Sequence, residues 1–149
     1  MFKRILIICT GNICRSPMAD VLLKRQLSLA GHDATIQSAG TDALIGHAAD
    51  APACSLMQSR GLDISAHRAC QVNQEATRWA ELILVMQNHH LAHILALDPT
   101  ARGKTFLLGH WTSQEIADPY QRGEALYGQV LALIDSALEA WVNKIVPTR

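Results

Sequence analysis

Four short runs of apolar residues alternate along the chain with longer stretches in which apolar positions recur at helical spacing. The first run, Arg4-Ile5-Leu6-Ile7-Ile8-Cys9, has no polar alternation and reads as a strand buried on both faces. Ala34–Ser38, Glu81–Met86 and Lys104–Leu108 are the other three expected strands. After the first run, Ser16-Pro17 opens a helix carrying Ala19, Leu22, Leu23, Leu27 and Ala30, and Gly31 stops it. A loop is expected from Ala39 to Asp50, then a helix over Ala51–Arg60 ending at Gly61. Another helix over Asn88–Leu97 ends at Asp98-Pro99. In the last helix Leu126, Val130, Leu133, Ala137 and Trp141 form one stripe, widened by Ile134 and Leu138.

Strands alternating with helices predict an α/β fold: a single-domain three-layer sandwich over residues 1–149, with helices on both faces of a four-stranded parallel sheet. In such sheets ligands bind beyond the carboxyl ends of the strands, where Cys9 and Thr10 fall.

Composition narrows the function. An apolar share of 49% against 17% charged residues excludes a disordered chain. Thirteen basic residues balance thirteen acidic ones, so the overall positive field of a nucleic-acid binder is missing. No secretory signal precedes the first strand, and no apolar run approaches the roughly 18 residues that span a bilayer. The chain is expected to be cytoplasmic and monomeric, with Cys9, Cys14, Cys54 and Cys70 reduced. Their spacing, with seven histidines and no HExxH, suggests no metal, and no cofactor is expected. His89, His90 and His93 read as a solvated helix face, and Cys54 and Cys70 as structural residues.

The chemistry concentrates in Cys9-Thr10-Gly11-Asn12-Ile13-Cys14-Arg15-Ser16-Pro17, which joins a buried strand to a helix N-terminus. Amides at such a junction cradle a phosphate-like anion. Gly11 and Asn12 tolerate the backbone conformations needed to curl N–H groups toward one point. Arg15 adds a planar fork for two phosphate oxygens. Cys9, in the same positive field, becomes a nucleophile beneath the phosphorus, and Ser16 can donate a hydrogen bond to it.

CTGNICRSP after an N-terminal apolar strand resembles the signature of the low-molecular-weight protein tyrosine phosphatases. Ser38-Ala39-Gly40, Ala66-His67-Arg68-Ala69 and Asp118-Pro119-Tyr120 extend the resemblance over the whole chain in the family's order. It implies hydrolysis of phosphotyrosine through a cysteinyl-phosphate, with Cys9 as nucleophile, Arg15 as clamp and Asp118 as general acid. Residues 10–16 would bind the phosphate, with Cys14 a redox partner of Cys9. Ser38 and His67 would support the loop. Ala43, Leu44 and Tyr120 would form the pocket wall, although a second tyrosine after Tyr120 is replaced by Gln121, and Ala43-Leu44 stand where eukaryotic relatives place an aromatic.

Phe106-Leu107-Leu108-Gly109-His110-Trp111 is most similar to the bacterial branch that partners tyrosine autokinases of exopolysaccharide or capsule export. The alternative on the same cradle, arsenate reductase, needs two further relay cysteines after the third strand, where Cys54 and Cys70 do not lie. A silent phosphotyrosine-binding module would not need nucleophile, arginine and acid together.

Overall fold

Ile5, Leu6, Ile7 and Ile8 are each at most 1% exposed, as a strand covered on both faces must be. In the computed structural model, which describes residues 2–146, they belong to β1 (Arg4–Cys9) at the centre of a parallel sheet. Met1 and residues 147–149 of the expected domain lie outside the described residues. The other strands are β2 (Thr35–Gly40), β3 (Leu82–Val85) and β4 (Thr105–Leu107), in the order β2-β1-β3-β4. Helix α1 (Arg15–Leu29) links β1 to β2, while α2 (Ala51–Gln58) and α3 (Gln74–Trp79) lie between β2 and β3. Helix α4 (Asn88–Leu97) and a 3₁₀ stretch over Pro99–Lys104 precede β4, and α5 (Glu124–Ile145) closes the chain. No helix among the described residues is long and apolar enough to cross a membrane.

The strict alternation of side chains along β1 divides the interior into two cores. Ile5, Ile7 and Cys9 join Leu82, Leu84 and Met86 beneath α1, α2 and α5. Leu6 and Ile8 join Ala39, Ile83, Val85, Ile94 and Ala101 on the opposite face. With β2 and β3 on either side of β1, the chain reverses its winding direction there, opening a crevice at the carboxyl ends of β1 and β3.

Several details differ from the sequence expectations. β2 runs two residues further, to Gly40, because the backbone beside Cys9 continues the ladder through Ala39 and Gly40. Helix α1 starts at Arg15, so Pro17 sits inside the first turn, where a missing N–H is still harmless. The six-residue α3 is too short to show a periodicity; Asn73 caps it by accepting the Ala76 N–H at 2.9 Å. The buried face of α5 centres on Tyr127, Val130, Ile134, Leu138 and Trp141, leaving Leu126 and Leu133 at its margins.

Gly40 marks where the sheet supports the loop. A Cβ there would come 2.3 Å from the Thr10 carbonyl oxygen and 3.1 Å from Ala43 Cβ. Gly40→Ala therefore pushes the loop backbone off β2 and is expected to cost about 1–3 kcal/mol, lowering anion affinity with stability. Gly128, on the exposed face of α5, has nothing within 4 Å of its would-be Cβ. Gly128→Ala is expected to gain up to about 1 kcal/mol. Thermal melts with and without phosphate check both, and an equal response of the two sites would contradict the steric argument.

Candidate active site

The segment between β1 and α1 is shaped by what happens to its carbonyls. Cys9 O, Thr10 O and Gly11 O accept the amides of Thr41, Asp42 and Leu44 at 3.0, 3.0 and 3.1 Å. Asn12 O faces His67 Nε2 at 2.6 Å, Ile13 O accepts Asp50 N at 2.7 Å, and Cys14 O accepts Met18 N at 3.2 Å. Six consecutive carbonyls thus point away from one centre, which turns the intervening N–H groups toward it. Among the described residues, the amides of Gly11, Asn12, Ile13 and Cys14 donate to no protein acceptor. The turn is made by Asn12, with φ +59°, and not by Gly11. Asn12 Oδ1 accepts the Cys70 amide at 3.0 Å, and its Nδ2 donates to Ser16 Oγ at 2.7 Å and Ser38 Oγ at 3.0 Å. The expected supporting residues Asn12, Ser16, Ser38 and His67 are therefore one connected network.

Cys9 ends β1, 1% exposed, with its Sγ 3.0 Å from Ser16 Oγ. Arg15, at the first turn of α1, is also 1% exposed. Its Nη1 donates to Gln87 Oε1 and to the Ile116 carbonyl, both at 2.7 Å, and Nη2 donates to Thr10 Oγ1 at 3.3 Å. Nε, however, is buried with no acceptor among the described residues. One side of the guanidinium is thus pinned, and the Nε–Nη2 edge remains for a ligand with two oxygens. This is the geometry of a bidentate oxyanion contact.

Asp118 closes the site from the other side. Its Oδ2 lies 3.6 Å from Arg15 Nη2, its Oδ1 accepts the Tyr120 amide at 3.0 Å, and the side chain is 43% exposed. The Cys14 thiol is 3.7 Å from Asp118 Oδ1. Burial, with the negative field of Cys9 and Asp118, pushes that thiol up to about 12, so it remains protonated and donates. Behind it, the Tyr127 hydroxyl of α5 donates to Asp50, and burial with this bond raises its proton affinity.

A cavity of about 200 Å³ opens above the loop, lined by Gly11, Ile13, Leu44, Tyr120, Asp42 and Asp118, with Thr10, Cys14 and Arg15 at its base. Ala43, expected in the wall, turns aside: its amide donates to Gln71 Oε1 at 2.9 Å and its Cβ packs toward Gly40. The loop zips backbone to backbone onto residues 9–11, and that register presents Asp42 and Leu44 instead.

Gln87 and His90 were not anticipated as site residues. His89 and His93 are exposed as expected, but His90 is fully buried, which corrects the solvated-face reading for that position. Its Nδ1 accepts the Gln87 amide at 3.0 Å and its Nε2 lies 2.8 Å from Thr10 Oγ1. The available signal was position: both follow β3, whose carboxyl end adjoins that of β1. Cys54 sits on α2 with its thiol on the Ala49 carbonyl, and Cys70 is exposed with its thiol on the Ser38 carbonyl. The segment at Cys70 serves the loop through its backbone amide. Among the described residues no metal-binding group of three side chains assembles.

The model of the family described as low molecular weight phosphotyrosine protein phosphatase matches residues 4–148. The low molecular weight protein-tyrosine-phosphatase Ptp of Acinetobacter johnsonii is 44% identical over 144 residues, covering 97% of this chain and 99% of that one. Wzb of Salmonella typhimurium, of the same description, is 39% identical over 147 residues, covering 97% and 95%. Among solved structures, the tyrosine phosphatase Wzb of Escherichia coli K30 in complex with sulphate superposes with a TM-score of 0.91. It is 40% identical, covering 97% of this chain and 99% of that one.

The buried imidazole makes a stability prediction. Desolvation, reinforced by Arg15, holds His90 down at about 3, against 6.5 for a free histidine. Between those values the unfolded chain binds a proton that the folded chain does not, so stability falls as pH falls from about 6.5 toward 3. The slope from this one group is at most about 1.4 kcal/mol per pH unit. His90→Gln is expected to flatten the parent's slope between pH 5 and 6.5, measured by denaturant titration. Parallel slopes would show that His90 titrates normally in the fold.

Proposed function

The chain belongs to the low molecular weight phosphotyrosine protein phosphatase family and is a protein-tyrosine phosphatase, and from that premise we propose how its residues divide the reaction. The phosphate of phosphotyrosine sits in the ring of amides from residue 10 to residue 16, with two of its oxygens on the Nε–Nη2 edge of Arg15. Cys9 Sγ attacks as the thiolate. The S–P bond forms as the P–O bond to tyrosine breaks, and Asp118 gives its proton to the departing phenolate oxygen. Asp118 then takes a proton from water, the water oxygen attacks phosphorus, and the P–S bond breaks to release inorganic phosphate and the thiolate. Ser16 Oγ, 3.0 Å from Cys9 Sγ, stabilises that leaving sulfur.

The observation that carries this reading is the buried guanidinium, its Nε without a partner among the described residues, in the segment that follows Cys9 and whose carbonyls all point outward. The sulphate in the relative's structure is a tetrahedral oxyanion of the same shape. Asp118 faces Arg15 in the free protein. Leu44, Ile13 and Tyr120 then flank the phenyl ring, with Tyr120 offering an aromatic face.

The physiological substrate in this reading is the phosphotyrosine of a bacterial tyrosine autokinase, so that the enzyme regulates exopolysaccharide or capsule production. The similarity of the Phe106–Trp111 segment to that bacterial branch supports it. Cys14 serves as the reversible disulfide partner of Cys9 under peroxide: Cys9 is oxidised to the sulfenic acid, and the Cys14 sulfur displaces water from it. Both thiols are buried in the same loop.

Cys9→Ser is expected to abolish turnover while retaining phosphate binding, and Arg15→Lys to lose most of both because an ammonium lacks the fork. Asp118→Asn is expected to slow phosphotyrosine by roughly 10²–10⁴-fold. Aryl phosphates with very acidic phenols, which leave without help, are expected to be slowed much less. Steady-state rates across a leaving-group series decide the matter: uniform slowing would assign Asp118 to positioning and remove it as the acid.

A further inference from the structure

The buried histidine on α4 has no part in the chemistry above, yet its hydrogen bonds lead directly to the cradle. Its Nδ1 accepts the Gln87 backbone N–H, so Nδ1 carries no proton and the neutral ring holds its hydrogen on Nε2. That Nε2–H points at Thr10 Oγ1, 2.8 Å away, and therefore donates. Arg15 Nη2 donates to the same oxygen at 3.3 Å. Both lone pairs of the Thr10 hydroxyl are then occupied, and its own hydrogen is left to point into the cavity that Thr10 lines beside Arg15.

We infer that His90 is a positioning residue that locks the Thr10 hydroxyl as an additional donor to the bound phosphate. The same ring anchors Arg15 by a second route, since the Gln87 amide it accepts belongs to the residue whose side chain holds Arg15 Nη1. A protonated ring would lose the Gln87 contact and place a second cation beside Arg15; full burial keeps it neutral. The inference rests on the cradle being the phosphate site, and the experiment separates the two.

Kinetics with phosphotyrosine and inhibition by inorganic phosphate are measured for the parent, His90→Asn, His90→Gln, Thr10→Val and the double variant Thr10→Val/His90→Asn. Asparagine keeps an oxygen for the Gln87 amide but is too short to reach Thr10; glutamine extends an N–H toward it. His90→Asn is expected to lose roughly tenfold in kcat/KM and in phosphate affinity, as for one hydrogen bond to a charged group. His90→Gln is expected to recover most of that loss, and His90→Asn to add less than about twofold on the Thr10→Val background, where the partner is gone. The same loss in both backgrounds would overturn the inference and leave His90 a helix cap. Should the His90 variants fail to fold, Thr10→Ser against Thr10→Val reads the hydroxyl alone: retention by serine and loss by valine is expected, and equal phosphate affinity overturns the role. A parent insensitive to phosphate would overturn the site reading as well.

Discussion

The site exists because six consecutive peptide carbonyls, from Cys9 to Cys14, are all pulled outward. A peptide unit is rigid and its C=O and N–H point in opposite directions, so fixing one set of groups fixes the other. No side chain needs to face the anion for the amides to converge on it. What the fold must supply is an external donor for each of the first five carbonyls, and it does so from separate places: the loop after β2, the start of α2, and His67, while α1 itself binds the sixth through the Met18 amide. Gly40 and Asn12 are the two positions where this arrangement demands a particular residue type, one for close backbone approach and one for a left-handed turn.

The second constraint is a cation placed where water cannot reach it. A guanidinium at 1% exposure bears a desolvation cost that hydrogen bonds to Gln87, Ile116 and Thr10 offset only in part, since these partners are neutral. The nearest carboxylate, Asp118, stands 3.6 Å away and is itself partly in solvent. The free protein therefore holds a positive charge that a dianion matches better than any group of its own.

Most of the fold was legible because it is written in local patterns. An unbroken, largely β-branched Ile5–Ile8 run reads as a doubly covered strand, and Asp98-Pro99 as the end of a helix. The loop from Cys9 to Ser16 was equally legible, since strand, turn residues, arginine and helix start lie within one short segment. His90 is hidden for the opposite reason: its neighbours His89 and His93 do face solvent, and only its place just after β3 hints that it lies over Thr10. The family resemblance implies Ala43 in the wall, whereas the pairing of Asp42 and Leu44 with Thr10 and Gly11 decides which side chains face the cavity. Distant backbone register leaves no mark in composition or periodicity.

The bonds that shape the loop also determine when it can form. His67 reaches Asn12 across 55 residues of chain, and the Ile116 carbonyl reaches Arg15 across 101. Loop-closure entropy for contacts so far apart is recovered only once the sheet and both layers of helices are assembled. The curl of the loop is therefore a property of the whole domain: a fragment that ends before His67 or Ile116 would lack donors and acceptors that hold its carbonyls and its guanidinium.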